Sequence, residues 1–133
     1  MRAIIVTLLA LCGLFAARRS VWDGVYTKDQ AARGLKAYQE ECMKCHGENA
    51  SGGESAPALV GAEWLAKWNG KSVGDLYTRI RKTMPTDDPG NLSTRQYSDI
   101  VAYLLSLNEF PAGSQELERD AAVLNEIRME AKR

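Results

Sequence analysis

Cys42-Met43-Lys44-Cys45-His46 decides the reading of this chain. The five residues match C-x-x-C-H, the attachment pattern for c-type haem. Two thiols at that spacing can each add to one vinyl group of a porphyrin. The residue that follows then places an imidazole under the iron. On this reading Cys42 and Cys45 are the thioether residues, His46 is an axial ligand, and the cofactor is one covalent haem c. The polypeptide's task is to shield and tune that single iron centre.

Other meanings of C-x-x-C fit less well. A thioredoxin-like redox pair needs a βαβ context, and no such pattern is present. A structural zinc site needs two further ligands, but His46 is the only histidine. A plain disulfide is open to an exported chain, although it leaves His46 and Met84 without a role.

Rapid electron transfer asks for a second axial ligand on the iron. A thioether serves well, because it suits both oxidation states and raises the potential. Of the four methionines, Met1 belongs to the leader, Met43 is trapped between the two cysteines, and Met129 lies in a charged tail. Met84, in Thr83-Met84-Pro85, is the candidate. Pro85 stiffens the backbone beside it, so less ordering is needed when the bond forms. A methionine at a helix end is more often ordinary core, and it is C-x-x-C-H that reverses the preference.

A ligating histidine usually gives the hydrogen of its other ring nitrogen to a carbonyl. Pro57 is placed to bend the following loop back under the haem for that purpose. Leu59, Trp64, Trp68 and Tyr77 are candidates to line the pocket, with an indole N–H offered to a propionate. Arg79 or Arg81 is a candidate to neutralise a propionate. Packing for the aromatics and solvation for the arginines explain each residue equally well when taken singly.

The rest of the chain reads as helix. Asp29–Glu41 carries Ala31, Leu35 and Tyr38 at helical spacing, which puts Cys42–His46 at the end of a first helix. Residues 47–57 form a Gly- and Ser-rich loop, and Glu63–Trp68 is a short helix. Ser72-Val73-Gly74-Asp75 and Ser93-Thr94-Arg95-Gln96 read as capping boxes. The first opens a helix bearing Val73, Leu76, Tyr77 and Ile80 that stops before Pro85. The second opens a helix with Tyr97, Ile100, Val101, Leu104 and Leu105 on one apolar face. No convincing strand is expected, so the fold class is all-α. Beyond the break at Pro111 and Gly113, Leu117, Ala121, Leu124 and Ile127 make one thin stripe. That stripe predicts a helix or extended arm on the domain surface, the plainer reading being a loose tail.

The 133 residues suffice for one small domain, with 45% hydrophobic and 26% charged residues. A covalent haem would serve as a staple for so small a core. The 17 basic and 17 acidic residues balance, which argues against nucleic acid and against strong electrostatic binding to membranes. Met1-Arg2 followed by the apolar stretch Ala3 to Ala17 reads as an export signal. As a helix that stretch spans about 22 Å, short of a hydrocarbon core of about 30 Å. Arg18-Arg19 directly afterwards is atypical of a cleavage site, so a short uncleaved anchor is the alternative. Cys12 is an apolar residue of this segment rather than a lipidation site, because Leu11 before it is not small. The division expected is 1–20 as signal or short N-terminal anchor, 21–110 as the haem domain, and 111–133 as a partly helical C-terminal extension. The compartment expected is the periplasm, with membrane attachment only through an uncleaved or lipidated N-terminus.

These residues resemble class I monohaem cytochromes c of the small bacterial periplasmic type. The likeness runs from about Asp29 to Asn108. It rests on Gly34-Leu35-Lys36-Ala37-Tyr38, Cys42 to His46, Thr83-Met84-Pro85 and Ile100-Val101-Ala102-Tyr103-Leu104, in that order. The resemblance implies several short helices wrapped around a covalently bound haem, with one haem edge exposed. It also implies that the first and last helices cross closely, Gly34 and Tyr38 meeting Ile100, Tyr103 and Leu104, and that Pro57 is the haem-pocket proline. The function implied is electron carriage between a dehydrogenase or quinol-oxidising complex and a terminal acceptor such as an oxidase, without catalysis by the chain itself. The alternative is the haem subunit of a periplasmic, quinoprotein-type dehydrogenase. The 115–133 extension lies beyond the family's usual end and resembles tails of cytochromes found beside such dehydrogenases. The balanced charge departs from the basic face of mitochondrial-type relatives, so no highly acidic partner is implied.

Overall fold

The computed structural model describes residues 18–133. Residues 1–17 of the expected signal or anchor stretch, Cys12 among them, lie outside the described residues, whereas its last residues are described and Arg19–Ser20 belong to β1. The elements run β1 (Arg19–Ser20), a 3-10 turn (Val21–Asp23), α1 (Lys28–Glu41), α2 (Met43–His46), α3 (Ala62–Trp68), α4 (Val73–Thr83), α5 (Thr94–Leu107), α6 (Ala121–Leu124) and β2 (Ile127–Arg128).

Local sequence sets the helix ends. The Thr27 hydroxyl accepts from the Gln30 N–H at 3.1 Å and starts α1. Both expected capping boxes are formed. Ser72 and Asp75 exchange bonds of 3.0 and 2.9 Å at the head of α4, and Ser93 and Gln96 exchange bonds of 3.1 and 3.0 Å at the head of α5. Met84 follows α4 in an extended conformation (φ −127°, ψ 148°), as the proline behind it requires.

The main packing contact is the crossing of α1 on α5, and Gly34 permits it. A Cβ built on Gly34 would overlap the main-chain oxygen of Asp99 and sit 2.8 Å from the Cβ of Tyr103. One helical turn further on, the rings of Tyr38 and Tyr103 lie 5.2 Å apart between centroids. Ile100 and Leu104 are buried beneath this crossing. The close approach of Gly34 and Tyr38 to Tyr103 that the resemblance implies is therefore present.

Two short strands, which the sequence reading did not expect, tie the ends together. β1 pairs with β2 in parallel, Arg19 opposite Ile127 and Ser20 opposite Arg128. Strands of two residues leave no alternating pattern to read. The chain after Gly113 is largely extended, with α6 its one short helix among the described residues. It is not a loose tail, since Leu117, Leu124, Ile127 and Met129 are all buried. Buried Gln30 holds it like a strand neighbour. Its side-chain oxygen accepts from the Leu117 N–H at 2.7 Å, and its amide donates to the Leu117 carbonyl at 3.2 Å. Ser98 Oγ donates to the Leu117 and Glu118 carbonyls. Arg33 joins Asp99 on α5 to Glu116 of the arm, at 3.1 and 2.8 Å.

The arm also braces α3 and α4. Gly70 N–H donates to the Met129 carbonyl, and Met129 N–H donates back to the Lys71 carbonyl, at 2.9 and 2.8 Å. The Tyr77 hydroxyl donates to the Arg119 carbonyl at 3.0 Å. A Cβ on Gly74 would overlap Asn125 Oδ1, so α4 and the arm touch main chain to side chain there.

Candidate functional site

The end of α1 builds the first part of the site. Cys42 closes α1 with its N–H on the Tyr38 carbonyl at 2.8 Å, and α2 continues at once as a single turn. His46, the last residue of that turn, is buried, whereas Cys45 is exposed and Cys42 half-buried. Burial pushes the Cys42 thiol up to about 11, with the charges of Glu41 and Cys45 adding to the effect.

The loop after His46 folds back on itself. Gly52, at φ +77°, gives its N–H to the His46 carbonyl at 2.8 Å, and a Cβ there would fall 2.5 Å from the amide nitrogen of Ala58. Only glycine allows that approach. The fold-back brings the Pro57 carbonyl oxygen to 2.8 Å from Nδ1 of His46. A carbonyl only accepts, so the bond places a hydrogen on Nδ1, and in the neutral imidazole that leaves Nε2 with its lone pair. Among the described residues Nε2 has no protein partner. Asn108, at the end of α5, fastens the far side of the loop. It donates to the Leu59 carbonyl and accepts from the Gly61 N–H, both at 3.0 Å.

One cavity of about 750 Å³ brings the pieces together. Cys42, Cys45 and His46 line it from α1 and α2, Pro57 and Leu59 from the loop, and Trp64 and Trp68 from α3. Leu76, Arg79, Ile80, Thr83 and Met84 line it from α4 and its end, and Ile100 and Leu104 from α5. Trp64 and Trp68 are buried with their rings 6.4 Å apart, and Lys67 Nζ lies 5.6 Å from the centre of the Trp68 ring. Tyr38 also lines the cavity while its hydroxyl donates to the Gly47 carbonyl at 2.6 Å. Burial pushes that hydroxyl up to about 12.

Of the expected pocket residues, Tyr77 is not in the cavity wall. Each residue turns a helix by about 100°, and Leu76 takes the cavity side of α4 while Tyr77 reaches the C-terminal arm. Of the two arginines considered, Arg79 lines the cavity and Arg81 does not. Leu76, Ile80, Ile100 and Leu104 join the wall without having been expected there. Their signal was present: 76 and 80, and 100 and 104, are four-residue pairs on one helix face.

The donor set fits a large flat group with an iron at its centre. The cavity falls within the usual range of ligand sites, about 300–1,000 Å³. Its walls supply two thiols, an imidazole with one nitrogen already fixed, a thioether, two indoles and the cations Lys67 and Arg79. The zinc alternative finds no support in the geometry. Among the described residues no three His, Cys, Asp or Glu side chains are grouped to hold a metal ion.

Comparison with known proteins gives matches of sequence and of fold. The family described as cytochrome c oxidase, cbb3-type, subunit III matches residues 29–104. The cbb3-type cytochrome c oxidase subunit CcoP of Azospirillum brasilense is 27% identical over 111 residues, covering 71% of this chain and 37% of that protein. Subunit FixP of the same type of oxidase from Rhizobium meliloti (strain 1021) is 29% identical over 92 residues, covering 59% of this chain and 30% of that protein. The chain thus spans about a third of the length of these relatives. Among solved structures, a chain of the sulfane dehydrogenase SoxCD from Paracoccus pantotrophus superposes with a TM-score of 0.52 at 22% identity. The match covers 81% of this chain and 61% of that one, and it speaks to the fold alone.

Proposed function

We propose that this chain, which belongs to the family described as cytochrome c oxidase, cbb3-type, subunit III, relays single electrons to a membrane oxidase from the periplasmic side. Membership makes it a monohaem c-type cytochrome whose cofactor is haem c, an electron carrier or carrier subunit rather than a catalyst. The haem supplies an iron that alternates between two oxidation states.

The chain's own residues divide the work of holding that group. Cys42 and Cys45 would form the two thioether bonds, and His46 would offer Nε2 to the iron, its Nδ1 being committed to Pro57. Met84 would offer its sulfur as the second protein ligand. Leu59, Trp64, Trp68, Leu76, Ile100 and Leu104 would exclude water from the group, limiting solvent reorganisation on electron transfer. Lys67 and Arg79, in the cavity wall, would be the cations available to the haem propionates, and Trp64 and Trp68 would be the candidate indole donors to them. The observation that carries the reading is the single cavity lined at once by Cys42, Cys45, His46 and Met84.

Residues 1–20 serve as export signal or short anchor, their last two already in β1, residues 21–110 form the haem domain, and 111–133 form the extension. Among the described residues no helix is long and apolar enough to cross a membrane. An oxidase partner is favoured over a dehydrogenase because the sequence relatives are named as oxidase subunits.

A mass spectrum of the exported protein under denaturing conditions tests the attachment. One haem should stay with the chain and leave it in a Cys42→Ala, Cys45→Ala variant. A chain that sheds haem on denaturation would refute covalent attachment. Pull-down from solubilised membranes separates the partner classes, with an oxidase expected and a dehydrogenase supporting the alternative.

A further inference from the structure

Tyr97 was expected only as one apolar residue on the inner face of α5. It is completely buried, yet it is not in the cavity wall, and its hydroxyl donates to the main-chain oxygen of Met84 at 2.8 Å. The N–H of Met84 is tied in turn to the Ile80 carbonyl at 2.8 Å. The residue is therefore gripped from both sides, by α4 through its nitrogen and by α5 through its oxygen. Pro85 has no N–H to give, and among the described residues the one other donor to the Met84 oxygen is Gly90 N–H at 3.5 Å, a length at which a hydrogen bond is weak.

We propose that Tyr97 is a positioning residue for the sulfur ligand: its hydroxyl fixes the main chain of Met84 so that the thioether stays presented to the cavity shared with His46. The inference rests on the reading of Met84 as an axial ligand. Tyr97 lies on α5, which packs across α1, and α1 leads directly into Cys42–His46. One hydroxyl thus ties the carrier of the second ligand to the helix pair that positions the first.

The test compares the oxidised holoprotein with Tyr97→Phe, using imidazole as a competitor for the thioether's place on the iron. Tyr26→Phe is the control. Tyr26 is equally buried and its hydroxyl also meets a main-chain oxygen, that of Phe110, but it lies outside the cavity. Loss of one buried hydrogen bond should raise imidazole affinity about fivefold to tenfold in Tyr97→Phe, with covalent haem and helical circular dichroism retained. Tyr26→Phe should stay within about twofold of wild type while losing similar thermal stability. Unchanged imidazole affinity in a folded Tyr97→Phe protein would overturn the proposal and leave Tyr97 a packing residue. Should Tyr97→Phe fail to hold haem, 4-aminophenylalanine at position 97 keeps ring and donor. It should restore wild-type imidazole affinity, and failure to do so in a folded protein would equally overturn the role. A wild-type protein without the thioether-to-iron absorption band would sink the Met84 ligand itself. A wild-type band combined with an indifferent Tyr97→Phe sinks only the part given to Tyr97.

Discussion

Replacing Gly34 by Ala should cost this protein much of its stability, although alanine is the better helix former. The added methyl carbon would overlap the Asp99 main-chain oxygen and meet the Tyr103 Cβ at 2.8 Å. Neither atom can rotate aside, because one is helix backbone and the other is the first atom of a side chain. The two helices must therefore separate, which loosens the 5.2 Å contact of Tyr38 with Tyr103 and the burial of Ile100 and Leu104. Overpacking of this kind costs up to about 3 kcal/mol, against a gain of about 1 kcal/mol from helix propensity. The net loss is about 2 kcal/mol, and for a domain of this size that lowers Tm by about 10 °C. Thermal and urea unfolding of the holoprotein, followed by circular dichroism, would measure it. Gly53→Ala is the reference, since a Cβ there meets nothing within 4 Å. A Gly34→Ala protein as stable as wild type would refute the idea that main-chain contact sets this crossing.

Deleting residues 114–133 removes four buried side chains, Leu117, Leu124, Ile127 and Met129. At about 1.5–3 kcal/mol each, the loss should leave a protein that is unfolded or aggregated at room temperature, and a truncated holoprotein melting within a few degrees of wild type would contradict a bracing role for the arm. Stability should also fall at alkaline pH. The folded protein keeps the Tyr38 proton up to about 12, mainly by burial, whereas the unfolded chain releases it near the ordinary tyrosine value of 10.0. The stabilisation is complete below pH 10 and declines as pH rises towards 12, because there the unfolded state binds fewer protons. Urea unfolding at pH 8 and pH 11 should show the decline, and Tyr38→Phe should shrink it. An equal decline in the variant would assign it to the other shifted tyrosines, buried Tyr26 and Tyr77 and half-buried Tyr103, which are raised in the same direction.

Much of this architecture was legible because it depends on signals local to the sequence. Ser72 with Asp75 and Ser93 with Gln96 announce two helix starts in four residues each, and Pro85 announces an end. Gly34 and Tyr38, one turn apart, mark a face made for close approach. Features that depend on distant partners were not legible. Nothing around Arg19 or Ile127 marks a two-residue strand, because the pairing joins opposite ends of the described chain. Gln30 looks like a surface residue until Leu117 arrives to meet it. Tyr77 and Leu76 could not be separated because Tyr77 can satisfy either the cavity or the arm, and only the position of Arg119 decides. Tyr97 gave no hint of its hydroxyl's destination, since an apolar helix face hides a polar tip.

The most direct test of the account is the visible spectrum of the oxidised protein beside that of Met84→Ala. The account predicts a thioether-to-iron charge-transfer band at the red edge of the wild-type spectrum, and its loss in Met84→Ala with the haem still attached. A wild-type spectrum without the band, or a band that survives the substitution, would contradict it.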